Sequence, residues 1–189
     1  MIEVHDATGD RWDDVATVMG TRGDASRCWC QFFRLHGPAA REATPTSSRA
    51  ALRTQVVEDP VPPGVLAYAD AEPVGWCAVA PRGSYSRLAH SEVTKDVPDE
   101  AGLWAVTCFV VRVGHRRQGV AGALLDAAVS LAERNGARIV EGYPVDTAVR
   151  KASSAELYHG TVLLFAAAGF DEYARPKADR AVVRRVLTG

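Results

Sequence analysis

The segment Val111-Arg112-Val113-Gly114-His115-Arg116-Arg117-Gln118-Gly119-Val120-Ala121-Gly122 combines features that suit an anion. It follows an apolar run, Leu103 to Val111. It opens a stretch in which Val120, Ala121, Leu124, Leu125, Ala128, Val129 and Ala132 recur at helical spacing. The first turn of such a helix leaves backbone N–H groups without partners, and the helix dipole places partial positive charge there. Gly119, Ala121 and Gly122 are small enough for a phosphate to approach the main chain. His115, Arg116 and Arg117 add charge of the right sign. The chemistry this predicts is the binding of a pyrophosphate. Two rival phosphate motifs fail in detail. No Gly-x-Gly-x-x-Gly is present here, and the segment follows the fourth predicted strand rather than the first. No Gly-Lys-Ser or Gly-Lys-Thr follows either. The bland alternative is a glycine-containing helix start with a solvated basic turn.

Other reactive residue types are less ordered. Cys28 and Cys30 are one residue apart, which is neither zinc-ribbon nor common redox spacing. Cys77 and Cys108 stand alone and the histidines are scattered. No metal site is expected, and the thiols are expected to be reduced.

Hydrophobic periodicity supplies the elements around the turn. Ile2 to Ala7 reads as a strand, Asp10 to Met19 as a helix, and Thr46 to Val57 as a second helix capped by Thr46 or Ser47. Between them, Cys28 to Leu35 is aromatic and apolar, and His36-Gly37-Pro38 interrupts it. Val65 to Ala69 and Val74 to Ala80 flank a turn at Asp70 to Pro73, as in a hairpin. Pro81 to Pro98 is irregular and polar, contains Tyr85, Arg87, His90 and Glu92, and is of the kind that forms substrate sites. Leu103 to Val111 reads as a strand buried on both faces. After the amphipathic helix, Arg138 to Tyr143 is a strand. Ser153-Ser154-Ala155-Glu156 has the pattern of a capping box opening a helix through Ala168. Phe170 to Arg175 and Arg180 to Leu187 close the chain as strands. The fold class is α/β: one mixed sheet with helices on its faces.

Composition excludes several partners. The 189 residues hold 22 Lys and Arg against 23 Asp and Glu, a net charge of -1. That balance argues against a nucleic-acid or membrane-surface binder, which needs clustered positive charge. Hydrophobic residues are 47% and charged residues 24%, as in a globular protein rather than a disordered chain. No apolar run is long enough to span a bilayer, and Met1 to Asp6 has no export pattern, so a cytoplasmic location is expected.

The whole arrangement resembles the Gcn5-related N-acetyltransferase (GNAT) superfamily. That family's acetyl-coenzyme A signature is Arg or Gln, two residues, Gly, one residue, then Gly or Ala; Arg116, Gly119 and Ala121 match in place. Phe109-Val110-Val111 is similar to the family strand whose backbone holds the pantetheine arm. Leu164-Phe165-Ala166-Ala167-Ala168-Gly169-Phe170 resembles the closing helix and its Gly-Phe end. Cys28-Trp29-Cys30-Gln31 and Glu141-Gly142-Tyr143-Pro144-Val145-Asp146 look like a bacterial subgroup. The resemblance covers nearly the whole chain. It implies a single domain over 1–189 with the acyl-CoA N-acyltransferase fold: a mixed, mostly antiparallel central sheet of about seven strands flanked by helices. It implies acetyl-CoA as cosubstrate, no metal and an amine acceptor, with a homodimer left open. The cofactor contacts it implies are Phe109, Val110, Val111, Arg116, Arg117, Gln118, Gly119, Val120, Ala121, Gly122 and Phe165. One departure matters: many members have a tyrosine where Phe165 stands, and that proton donor cannot be carried over.

The implied reaction is attack of an amine on a thioester, and its two proton problems differ in size. A thiol of pKa about 8.5 leaves as thiolate at a penalty of roughly 1–2 kcal/mol near neutral pH. An amine of pKa about 10.4 costs roughly 4 kcal/mol to deprotonate there. Loss of the acid is tolerable and loss of a base is more serious. A strand N–H near Val110 is the implied oxyanion donor, worth roughly 3 kcal/mol. Glu141, on the strand after the helix, is the candidate base; the alternative is a carboxylate paired with an arginine. Glu92 reads as solvated. Tyr158, beside His159 in the predicted last helix, is the candidate substitute acid; a packed core tyrosine is the alternative. Cys108 reads as packing rather than as a nucleophile. Trp29, Phe32 and Phe33 either wall the acceptor site or form a plain aromatic core, and Trp76 and Trp104 read as core. The functional expectation is an N-acetyltransferase acting on a primary amine. The alternatives are a CoA-binding module without turnover and an unrelated phosphate-ligand domain.

Overall fold

The computed structural model describes residues 1–153 and 155–187. Strand β1 (Ile2–Asp6) leads through a 3-10 turn into helix α1 (Trp12–Met19). Two short helices, α2 (Ala25–Cys28) and α3 (Gly37–Glu42), precede the longer α4 (Pro45–Glu58). Strands β2 (Gly64–Ala69) and β3 (Glu72–Pro81) form a hairpin, and a polar loop then leads to β4 (Leu103–Val111). Helix α5 (Val120–Arg134) returns the chain to β5 (Ile139–Gly142). A 3-10 turn at Leu157–His159, α6 (Val162–Ala167), β6 (Asp171–Lys177) and β7 (Arg180–Val186) follow. The seven strands make one sheet in the order β1-β2-β3-β4-β5-β7-β6. Neighbours are antiparallel except β4 and β5. That pair runs parallel because α5 serves as the crossover between them. The expected mixed, mostly antiparallel sheet is what the chain forms.

Both faces of the sheet are covered. The apolar stripe of α5 (Val120, Leu124, Leu125, Ala128, Val129, Leu131 and Ala132) packs on Val65, Ala67, Cys77, Val79 and Val106. On the other face, Trp12, Val15, Val18 and Met19 of α1 and Leu52 and Val56 of α4 pack on Leu66, Trp76 and Ala78. Next to them the polar loop lays Tyr85, Leu88 and Val93 over Ala80, Ala105, Tyr143 and Val182.

A bulge in β4 breaks this regularity. Ala78 pairs with Cys108 but Val79 pairs with Val106, so Thr107 is an extra residue. The insertion reverses which side chains face α5: Trp104 and Val106 do so before it, Phe109 and Val111 after it. Cys108 and Val110 then face the α1 and α4 side. Pairing of β4 with β5 stops at Val106 and Gly142, while β4 runs on to Val111 against β3 alone. The two parallel strands therefore part at the bulge.

Three expectations are corrected. The last helix is not continuous from Ser153 to Ala168. Gly160 takes a φ of +75° after the 3-10 turn, and α6 starts afresh with Thr161 Oγ1 accepting from the Leu164 N–H at 3.2 Å. Ser153 does donate to Glu156, from N–H at 2.9 Å and from Oγ at 2.8 Å, but the contact closes a turn; Ser154 lies outside the described residues. Helix α4 begins one residue before the expected cap. Thr44 caps it in a box with Ser47 because Pro45, lacking an N–H, suits the first helical position. The β2–β3 turn is only Asp70-Ala71, both with positive φ, and Pro73 lies inside β3 opposite Tyr68, where the register shifts.

Candidate active site

Helix α5 begins at Val120, with Gly119 as its N-cap at a φ of +82°. Its first backbone bond runs from Ala123 N–H to the Gly119 carbonyl at 3.1 Å. The N–H groups of Val120, Ala121 and Gly122 precede that ladder and have no acceptor within the helix. A Cβ built on Gly119 or Gly122 would meet no atom within 4 Å, so the approach to this turn is open. Arg116, Arg117 and Gln118 are exposed beside it. Arg112 is instead tied to Glu72 and, at 3.1 Å, to the Pro73 carbonyl. Arg116 and Arg117 make no ion pair among the described residues. Open N–H groups at the positive end of a fifteen-residue helix, flanked by guanidinium groups with no counter-ion among the described residues, fit a diphosphate.

Phe109, Val110 and Val111 lie on the part of β4 that no longer pairs with β5. The wedge beside them is filled from α6 by Phe165, which is fully buried. Its ring centroid is 6.0 Å from that of Phe109 and 5.0 Å from that of Phe170. A Cβ on Gly142 would lie 2.3 Å from Phe165 Cε1, so the end of β5 has room for a hydrogen atom only. Phe165 offers no proton to any neighbour.

On the other side of the parted strands is a cavity of about 340 Å³. Phe32 and Phe33 wall it, as do Tyr143, Tyr158, His159 and Arg180. Tyr158 and His159 sit on the 3-10 turn that packs against β4, with ring centroids 4.0 Å apart. Burial raises the Tyr158 pKa, and nearby Cys108 pushes the same way, so the phenol keeps its proton. Burial, helped by Arg180, lowers the His159 pKa to about 3, and its Nδ1 has no partner. The imidazole is therefore neutral. Trp29 does not line this cavity. Its ring stacks on Trp12 at 6.0 Å under Arg49, in the core between α1 and α4. With φ of +46° at Trp29 and +55° at Cys30, the chain turns sharply there, which sends Trp29 inward.

The family profile described as Acetyltransferase (GNAT) family matches residues 29–159, well over half of the chain. The chain belongs to the GNAT acetyltransferase family. Solved structures agree on the fold at low identity. The GNAT domain of S. lividans PAT superposes with a TM-score of 0.58 at 17% identity, covering 98% of this chain and 90% of that one. A GCN5-related N-acetyltransferase from Kribbella flavida gives 0.57 at 19%, covering 98% of each chain. The Salmonella typhimurium protein yncA, solved with its cofactor acetyl-CoA, gives 0.56 at 13%, covering 99% of this chain and 94% of that one. No curated protein matches the sequence.

Glu141 sits in the arginine-paired setting that the sequence offered as the alternative to a base. It is fully buried, and both carboxylate oxygens are committed. Oε1 accepts from Arg82 Nε at 3.2 Å and from the Tyr143 hydroxyl at 2.7 Å, and Oε2 accepts from Arg184 Nε at 2.7 Å. This is the arginine-paired arrangement rather than a carboxylate facing the cavity. The same arginines hold the polar loop, Arg82 through the carbonyls of Thr94 (3.2 Å) and Val97 (3.3 Å), and Arg184 through that of Pro98 (3.3 Å). Glu141 thus fixes the loop that walls the GNAT cavity. Glu92 is paired with Lys95 on the surface at 3.0 Å. The cysteines are all free, and among the described residues no group of three His, Cys, Asp or Glu is arranged for a metal ion. Sequence reasoning missed Arg180, which lines the cavity from the start of β7. No local pattern marks it, because it joins Phe33 and Tyr158 in the cavity wall only through the fold.

Proposed function

We propose that this GNAT protein transfers an acetyl group from acetyl-CoA to a primary amine. The observation that carries the reading is the parting of β4 from β5: the stretch of β4 that no longer pairs with β5 leads directly to the open N-terminus of α5, and the turn carrying Tyr158 packs against the same strand beside the cavity. Acetyl-CoA, when bound, supplies an activated thioester. Arg116, Arg117, Gln118, Gly119, Val120, Ala121 and Gly122 hold its diphosphate through backbone N–H groups and charge. The backbone of Phe109, Val110 and Val111 binds the pantetheine arm, and Phe165, fully buried, supports that strand from α6 through Phe109. The Val110 N–H belongs to the ladder with Trp76 of β3, so the proposed donor to the acetyl carbonyl oxygen is the N–H of a neighbour, Phe109 or Val111, which points away from β3 and is worth roughly 3 kcal/mol.

Proton traffic falls to the cavity. An ammonium acceptor loses two protons overall: a nitrogen–carbon bond forms, the carbon–sulfur bond breaks, one proton ends on sulfur and one in solvent. Tyr158, with its proton retained by burial, is the proposed donor to sulfur in place of Phe165. Glu141 is a positioning residue in this reading, and no carboxylate serves as base. Phe32 and Phe33 wall the acceptor.

A second reading rests on Phe165 itself: without the usual tyrosine, the chain is a CoA-binding module that does not turn over. Thiol release with an amine panel separates the two. Release that depends on an amine and falls at least tenfold in Tyr158→Phe, mainly in kcat, supports catalysis. Binding of acetyl-CoA with no release across the panel supports the module. The cradle has its own test. Gly119→Ala adds only the strain of positive φ, about 1 kcal/mol, because its Cβ meets open space. Gly119→Glu adds a charge facing the diphosphate, and its acetyl-CoA affinity should fall at least tenfold below that of Gly119→Ala by calorimetry. Equal affinities would place the diphosphate elsewhere.

A further inference from the structure

The cavity beside β5 carries charge of one sign. Arg87 reaches it from the polar loop and Arg180 from β7, with His36 and His90 at its edge, and among the described residues no Asp or Glu lines it. The carboxylates in its neighbourhood are committed elsewhere. Asp179 and Glu156 both clasp Arg150, at 2.6 Å and 2.5 Å. Asp146 takes Arg175 at 2.8 Å, and Glu141 is enclosed by Arg82, Arg184 and Tyr143. Arg180 spends one amino group on the Tyr143 carbonyl at 3.0 Å, while its Nε is buried with no acceptor. His159 lines the same cavity, and its Nδ1 is buried without a partner among the described residues. Buried polar atoms are nearly always satisfied, and a guanidinium N–H can be satisfied only by an acceptor. A cavity lined by two guanidinium groups, with no counter-ion among the described residues, favours an anion.

On the reading that the acceptor enters this cavity, we propose that the acceptor is an amine that also carries a carboxylate, an amino acid, and that Arg180 and Arg87 bind that carboxylate. The volume of about 340 Å³ lies at the small end of ligand sites and suits a molecule of that size. Arg87 is already oriented, with its Nε donating to the Phe32 carbonyl at 2.6 Å and its guanidinium 4.1 Å from the Phe32 ring centroid. Phe32 and Phe33 are left for the acceptor's apolar part. A polycationic acceptor such as a polyamine meets like charge here and finds no carboxylate. The same positive charges favour the neutral form of the acceptor's amine, because a nearby like charge lowers an ammonium pKa. One charge arrangement thus selects the carboxylate and helps to free the nucleophile, which accounts for a cleft without a carboxylate base.

The test compares matched compounds. Thiol release at saturating acetyl-CoA is measured for the common amino acids, for their carboxamides, for the corresponding decarboxylated amines, and for spermidine. The expected result is at least one acid whose kcat/KM exceeds that of its amide and its amine tenfold or more, with the ratio falling toward one in Arg180→Met or Arg87→Met. A ratio near one or below in every wild-type set, or spermidine as the best substrate, overturns the proposal without touching the acetyltransferase reading. If no compound turns over, calorimetry on the CoA-saturated protein compares N-acetyl amino acids with their amides. Tighter binding of an acid supports the proposal, and no difference overturns it. Absence of any acetyl-CoA binding sinks the underlying reading and this inference with it.

Discussion

At position 165 a phenyl ring stands where many relatives of this fold family carry a phenol, and the ring is enclosed by Phe109, Phe170 and the backbone of Gly142. Restoring the hydroxyl is therefore not a simple gain. Phe165→Tyr must fit an oxygen into a wedge that already excludes a Cβ at position 142. The variant should lose about 1–3 kcal/mol of stability, visible as a Tm drop of about 2–4 °C for each kcal/mol. Its thiol-release rate should not rise. A faster enzyme of unchanged Tm would show that the wedge opens toward the sulfur and that the missing acid limits turnover. The turn from Arg116 to Gly122 was legible at this scale because its chemistry is local: small residues, basic residues and a helix start are adjacent in the chain. Tyr158 was legible as a candidate only by position, and its setting depends on neighbours far away in sequence.

Glu141 links two elements rather than acting alone. It sits on β5 opposite Arg184 of β7, and Arg82 reaches it from the loop after β3. Removing its charge leaves two buried guanidinium groups short of a counter-charge. Glu141→Gln should cost roughly 3–5 kcal/mol in chemical denaturation, and its activity should fall by the same factor at every pH. A loss confined to low pH would instead make Glu141 the base. Spacing alone could not decide between these roles, because a carboxylate on an interior strand is equally consistent with both until its partners are placed. The helix expected from Ser153 to Ala168 failed for a related reason. The local pattern between Ser153 and Glu156 is present, but Arg150 draws Glu156 into a turn, and Gly160 restarts the chain at a positive φ.

The cavity as a whole brings a titratable burden. His159 is held neutral, with a pKa of about 3 against an ordinary value of 6.5. As pH falls below 6.5 the unfolded chain takes up a proton that the folded chain refuses, so stability decreases, by about 1.4 kcal/mol per pH unit while the difference is complete. The window runs from pH 6.5 down to about 3. Carboxylates with depressed pKa, such as Glu156 at about 2, begin to lose their own contribution only below their unfolded value of 4.5. Denaturation of the wild type and of His159→Gln should therefore diverge between pH 6.5 and 4.5, the wild type alone showing the added slope. Parallel curves would mean that the imidazole takes up its proton in the folded protein.

The element order, the alternation of buried strands and the open helix start after Gly119 were determined by the amino-acid sequence itself, because each rests on interactions between residues a few positions apart. The parting of β4 from β5 was decided only in three dimensions, since it needs a bulge at Thr107 set against β3 and a bare position at Gly142 set against Phe165. The charge of the cavity beside β5 was decided there as well. A net charge of -1 gave no hint of it. Charge is a sum over the chain, whereas the field in a cavity depends on which carboxylates are already paired, and pairing is a property of the folded molecule.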